Sequence, residues 1–123
     1  MPYIKPDYVT SPKDSWTLNC IIYDEGEGKI AVAYGVWDKE RVIAMRWNGK
    51  NDLHKELGNP QSSSNATWFI LPFEIGVIIV KDVLIKQAAG NANVRQDGLA
   101  KVVKWLTEVQ KICPTGYEAK AFC

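Results

Sequence analysis

His54 is the only imidazole in the chain. It sits between Asp52 and Glu56, and Ser62, Ser63 and Ser64 follow it. A hydrolase of the serine type needs a nucleophile, a base and a group that orients the base. All three residue types occur in this one polar stretch. The same stretch also reads as a solvated loop, and no GxSxG-type turn presents a serine on an elbow. No catalytic residue is therefore assigned. A small hydrolase using His54 with a loop serine stands as an alternative function.

Other chemistry is thinner. Asp24, Glu25 and Glu27 crowd one glycine-bearing turn, but without the alternating oxygen ligands and distant glutamate of a calcium loop. Cys20, Cys113 and Cys123 are odd in number and contain no CxxC pair. That spacing argues against a zinc site and for free thiols in a reducing compartment. Gly26-Glu27-Gly28 is no phosphate cradle, and neither a P-loop nor a dinucleotide fingerprint occurs. No metal and no cofactor are expected.

Recognition chemistry is better represented. Arg46, Trp47 and Asn48 end one apolar run, Val42–Trp47, and Trp68 opens another, Thr67–Leu71. Between them lies a polar stretch, 48–66, of about 19 residues, long enough to suggest a functional loop. If the two runs pair as strands, both indoles share a rim to which Asn48, Gln61 and the serines add hydrogen-bonding groups. An aromatic wall with a few placed polar groups suits a small ligand or peptide. The candidate ligand-binding set is Arg46, Trp47, Asn48, Gln61, Ser62 and Trp68. The competing reading is a packed loop whose polar residues serve turns. Of the five tryptophans, most are expected in the core and one or two as surface anchors.

Segment 81–111 carries six basic residues against three acidic ones. Lys101, Lys104 and Lys111 on one helix face could track phosphates. Glu108 lies at helical spacing from Lys104 and Lys111, and the whole chain has a net charge of only +1, so nucleic-acid binding is kept as an alternative and not as the first expectation.

These residues need a scaffold. The 123-residue length fits a single domain. Pro2, Pro6 and Pro12 make residues 1–14 an extended arm, with Tyr3, Ile4, Tyr8 and Val9 available for burial. Ser11-Pro12-Lys13-Asp14 resembles a helix start. Against it, Trp16, Leu18, Cys20 and Ile22 alternate with Ser15, Thr17, Asn19 and Ile21, which favours a strand over 15–23. Residues 29–37 and 41–47 form two more strands and 67–71 a fourth, ended by Pro72. After Pro72 the period changes. A helix is expected over 73–88, with Ile75, Ile78, Ile79, Asp82, Val83 and Lys86 on its spacing. A second runs over 97–112, with Leu99, Val102, Val103, Leu106, Val109 and Cys113 on one stripe.

The expected fold is α+β: a four-stranded antiparallel meander, about 15–71, covered by two C-terminal helices, about 73–88 and 97–112. The other sheet face, together with the arm, is expected to make a homodimer. The N-terminus has no apolar leader and no apolar run reaches membrane-spanning length, so the expected location is cytoplasmic, with no membrane partner. The first function expected is a non-catalytic binding module, for a small molecule or a protein, using the Trp-flanked loop.

The succession Trp37-Asp38, Arg46-Trp47-Asn48-Gly49, Gly58-Asn59-Pro60-Gln61-Ser62 and Trp68-Phe69-Ile70-Leu71-Pro72 resembles a group of small bacterial proteins, some carried on mobile elements such as integron gene cassettes. The resemblance covers about residues 14–75. It implies a compact α+β domain, often dimeric, and carries over no catalytic residue.

Overall fold

The structure, a computed structural model, describes residues 3–51 and 56–109. Three long strands form an antiparallel meander: β1 (Trp16–Asp24), β2 (Ile30–Trp37) and β3 (Glu40–Asn48). The helix-like signal at Ser11–Asp14 survives as a single turn, in which Trp16 N–H donates to the Pro12 carbonyl at 2.8 Å. The strand then begins. β1 is irregular, with register shifts between Leu18 and Cys20 and between Ile21 and Tyr23. Such bulges break strict alternation, which is how the adjacent Ile22 and Tyr23 both enter one core while Ile21 enters the other. β2 and β3 meet at a two-residue turn in which Asp38 and Lys39 both have positive φ.

The outer edge of β3 is shared by two short strands in place of the single 67–71 strand expected. β4 (Gly58–Asn59) pairs with Trp47 and Asn48. β7 (Phe69–Ile70) pairs with Ala44 and Met45. Between them, β5 (Gln61–Ser62) and β6 (Asn65–Ala66) form a small separate hairpin.

Two helices follow, α1 (Phe73–Ala88) and α2 (Gln96–Glu108), and both cover the same sheet face. α2 follows its stripe: Leu99, Val102 and Leu106 are buried. Trp105 joins them, stacked on Tyr34 at 5.3 Å between ring centroids and met edge-on by Phe73 at 5.6 Å. α1 turns only part of the expected side inward: Val83 is buried and Ile79 packs against the core. Its buried residues are Gly76, Val80 and Val83, whereas Ile75, Ile78 and Asp82 face water. Gly76 explains the rotation. A Cβ there would lie 2.9 Å from Ile43 Cβ, so the helix seats its backbone against β3 at this point.

The opposite sheet face, expected to be free for a second copy, is covered by the chain itself. Val9 from the arm, Ala66 from β6, Trp68 from the segment between β6 and β7, and Trp16 pack with Ile21 on Ala31, Ala33 and Ala44. The Trp16 and Trp68 rings lie 6.2 Å apart. The arm is held at its root by Arg95, which donates to Asp7 at 2.7 and 3.1 Å and to Asp24 at 3.2 Å. Among the described residues no helix is long and apolar enough to cross a membrane.

Candidate functional site

Strand alternation separates the residues that sequence reasoning placed on one rim. Along β3, Ile43 and Met45 point toward the helices while Ala44 points to the other face. Trp47 therefore continues the helix side and Arg46 and Asn48 the opposite side. Trp47 is 56% exposed, whereas Trp68 is 6% exposed, within the second core. The Trp68 indole N–H donates to the Val9 carbonyl at 2.7 Å. The two indoles do not share a rim, and Trp68 fastens the arm.

Arg46 is also structural. Its guanidinium is buried and holds the chain that returns across the sheet. Nη2 donates to the Leu57 carbonyl at 2.7 Å, and Nη1 to the Pro60 carbonyl at 3.5 Å and to the Thr67 carbonyl. Burial pushes its pKa down to about 10, so it stays charged at neutral pH. Nε has no partner. One cation thus gathers three carbonyls from 57–67, a segment with little regular structure of its own, although the Pro60 carbonyl also accepts from Thr67 N–H at 3.1 Å.

Asn48 is buried beside it. Its amide Nδ2 donates to Asp24 Oδ1 at 3.1 Å and to the Gly26 carbonyl at 2.8 Å. This ties the β1–β2 turn to the end of β3 and leaves Oδ1 without a partner. The acidic turn is used internally. Asp24 also accepts from Gly26 N–H at 2.9 Å, Tyr23 OH donates to Glu25 at 2.7 Å, and Asn51 N–H donates to Glu27. Burial, then the bond to Glu25, raises the Tyr23 pKa. Cys20 is half-buried and its thiol pKa is raised by burial, which makes it a weak nucleophile.

A cleft of about 370 Å³ opens at the end of β3, lined by Trp47, Asn48, Glu56, Leu57, Gly58, Asn59 and Gln61. Three of the six expected ligand-binding residues line it: Trp47, Asn48 and Gln61. Arg46 and Trp68 lie in or beside the second core, and Ser62 is exposed on the β5–β6 hairpin. Gln61 Nε2 donates to the Gly58 carbonyl at 2.7 Å, which fixes one wall. Gly58 has φ +87°, and a Cβ on it would lie 2.1 Å from the Trp47 carbonyl. Only glycine lets β4 approach this closely. Sequence reasoning passed over Glu56, Leu57, Gly58 and Asn59 as lining residues. The Gly-Asn-Pro-Gln turn chemistry was the available signal.

His54, the base of the hydrolase reading, and Asp52, one of the two carboxylates near it, lie outside the described residues, as do Lys111, Cys113 and Cys123. Lys101 and Lys104 are exposed on α2, and Glu108 of the same helix pairs with Arg41 at 3.8 Å. No known protein family, curated protein or solved structure matches the chain, so the geometry alone carries the reading of the site.

Proposed function

We propose that the chain is a non-catalytic binding module whose site is the cleft against Trp47. One observation carries this reading. Trp16, Trp68 and Trp105 are buried, while Trp47 presents most of its indole to solvent in the wall of a cleft. An exposed indole is retained at a cost in solubility and is a frequent binding anchor. Around it the chain offers the Glu56 carboxylate and the amides of Asn59 and Gln61. An aromatic face beside a carboxylate suits a cationic, hydrogen-bond-donating group. The ligand class is therefore an amine- or guanidinium-bearing small molecule, or such a side chain on a peptide.

The experiment is a titration followed by the indole N–H resonances, with arginine amide, lysine amide and the neutral norleucine amide as probes. The Trp47 resonance shifts with the first two and not with the third, and the Trp68 resonance stays still. Trp47→Ala, with the fold checked by circular dichroism, abolishes binding. A Trp47 resonance indifferent to all three probes rejects the reading.

A further inference from the structure

We propose that the outer face of α1, together with Phe69, is an interface for a second copy of this chain, paired about a two-fold axis. The inference is independent of the cleft. α1 is apolar on the side that meets the sheet and apolar again on the side that faces water: Ile75, Ile78 and Ile85 are 46%, 59% and 66% exposed. A helix that carries large apolar side chains on two opposite sides normally has both covered. Phe69, 59% exposed, stands beside the start of α1 on the helix-bearing face of β7, opposite Met45. α2, on the same sheet face, turns Gln96, Asp97, Lys101, Lys104 and Glu108 outward.

Three features favour a copy of the same chain as the occupant. The first is spacing. Ile75, Ile78, Asp82 and Ile85 recur at three, four and three residues, the seam along which helices pair. The second is symmetry. Ile75 and Ile85 flank the middle of α1 about equally, so an antiparallel pair with its axis near Val80 sets Ile75 of one copy beside Ile85 of the other. The two Ile78 side chains then lie next to the axis. An isologous contact requires this self-complementarity. The charges of α1 agree, since Glu74 and Asp82 balance Lys81 and Lys86, and two copies meet without net repulsion. Asp82 on the seam is already paired with Lys86.

The third feature is size. Phe69, Ile75, Ile78 and Ile85 leave on the order of 500 Å² of apolar side chain in water, what one side of an interface needs at ~800 Å² per partner and ~60% apolar. A patch of this extent matches the largest on a typical monomer, ~300–600 Å², and such patches are often functional.

The test is sedimentation equilibrium of the full chain in reductant, which excludes cystine-linked dimers, over roughly 1–100 µM. The wild type is expected to dimerise. Ile78→Lys and Ile85→Lys should each weaken the dimer by at least ~100-fold while leaving the circular dichroism unchanged, because both side chains are exposed in the single copy. Asp82→Leu completes the seam and should tighten it by ~10-fold. Ala100→Lys on α2 should change nothing. A strict monomer, or a dimer insensitive to Ile78→Lys and Ile85→Lys, overturns the proposal and hands the face to a different occupant.

Discussion

On the helix-bearing face the strands themselves supply the bulk. Val32, Tyr34 and Ile43 rise from the sheet and meet Val80, Val83, Leu99, Val102 and Leu106 from above. On the opposite face β2 and β3 supply Ala31, Ala33 and Ala44, and the bulk arrives on the indoles of Trp16 and Trp68. The first face spreads its energy over many aliphatic contacts, each replaceable at modest loss. The second concentrates it in a few tight fits and one buried cation, on a segment that lacks long regular elements. A substitution at one of these tight fits should therefore do far more damage than one at an aliphatic contact of the first face.

Gly35 offers a sharp break of this kind. A Cβ at this position would lie 2.5 Å from the Thr17 carbonyl and 2.5 Å from the Trp16 ring. Neither neighbour can yield without moving β1 or expelling the indole. Gly35→Leu should lose more than ~4 kcal/mol in urea unfolding. Ile43→Val, at the centre of the helix-bearing face, should lose only ~1 kcal/mol. Comparable losses at the two sites would show that the second face is as tolerant as the first.

Arg46→Ala comes next, at ~3 kcal/mol, because the Leu57 and Thr67 carbonyls lose the guanidinium donor and a buried volume opens. Arg46→Lys should recover little, since one ammonium cannot fork to carbonyls that far apart. The loss should appear first in hydrogen exchange of 57–67 and only later in the helices. Uniform loss of protection would mean that Arg46 supports the whole domain and not its loop-covered face.

The regular half of the molecule was legible because its periods were clean: alternation in β2 and β3, and an amphipathic stripe in α2. The phase of α1 was not legible, since a helix with isoleucine or valine on every side has no polar face to point outward. The seating of Gly76 against Ile43 decided it. The shared rim of Trp47 and Trp68 failed for a different reason. It assumed one continuous strand over 67–71 paired with β3, whereas only Phe69 and Ile70 pair there and Trp47 lies opposite Asn59. Pairing by two-residue pieces leaves too short a pattern to read. Nor does a lone arginine at a strand end announce that backbone carbonyls will bury it. Trp47, Asn48 and Gln61 were found as cleft residues because the polar loop marked the region, even though the pairing argument behind them was incomplete.

The smallest effect expected is at the root of the arm, where the second face begins. Hydrogen bonds from Arg95, then its charge, hold the Asp7 carboxyl below the ordinary aspartate value against the opposing effect of burial. The folded chain thus binds that proton less tightly than the unfolded chain does. The stabilisation is fully present above the unfolded value of ~3.9 and fades as pH falls through the lower, folded value. The side chains of Arg95 and Asp7 are 36% and 37% exposed, so solvent screening limits the contribution to a few tenths of a kcal/mol. Asp7→Asn should therefore be slightly less stable than the wild type at pH 7, and the difference should vanish once pH falls below the folded value and both carry a neutral side chain. A difference that persists at low pH would show that Asp7 holds the arm by packing and not by charge. A difference well above 1 kcal/mol at pH 7 would show that the Arg95 contact is shielded from water, making the arm as tightly fitted as Gly35 and Arg46 make the rest of this face.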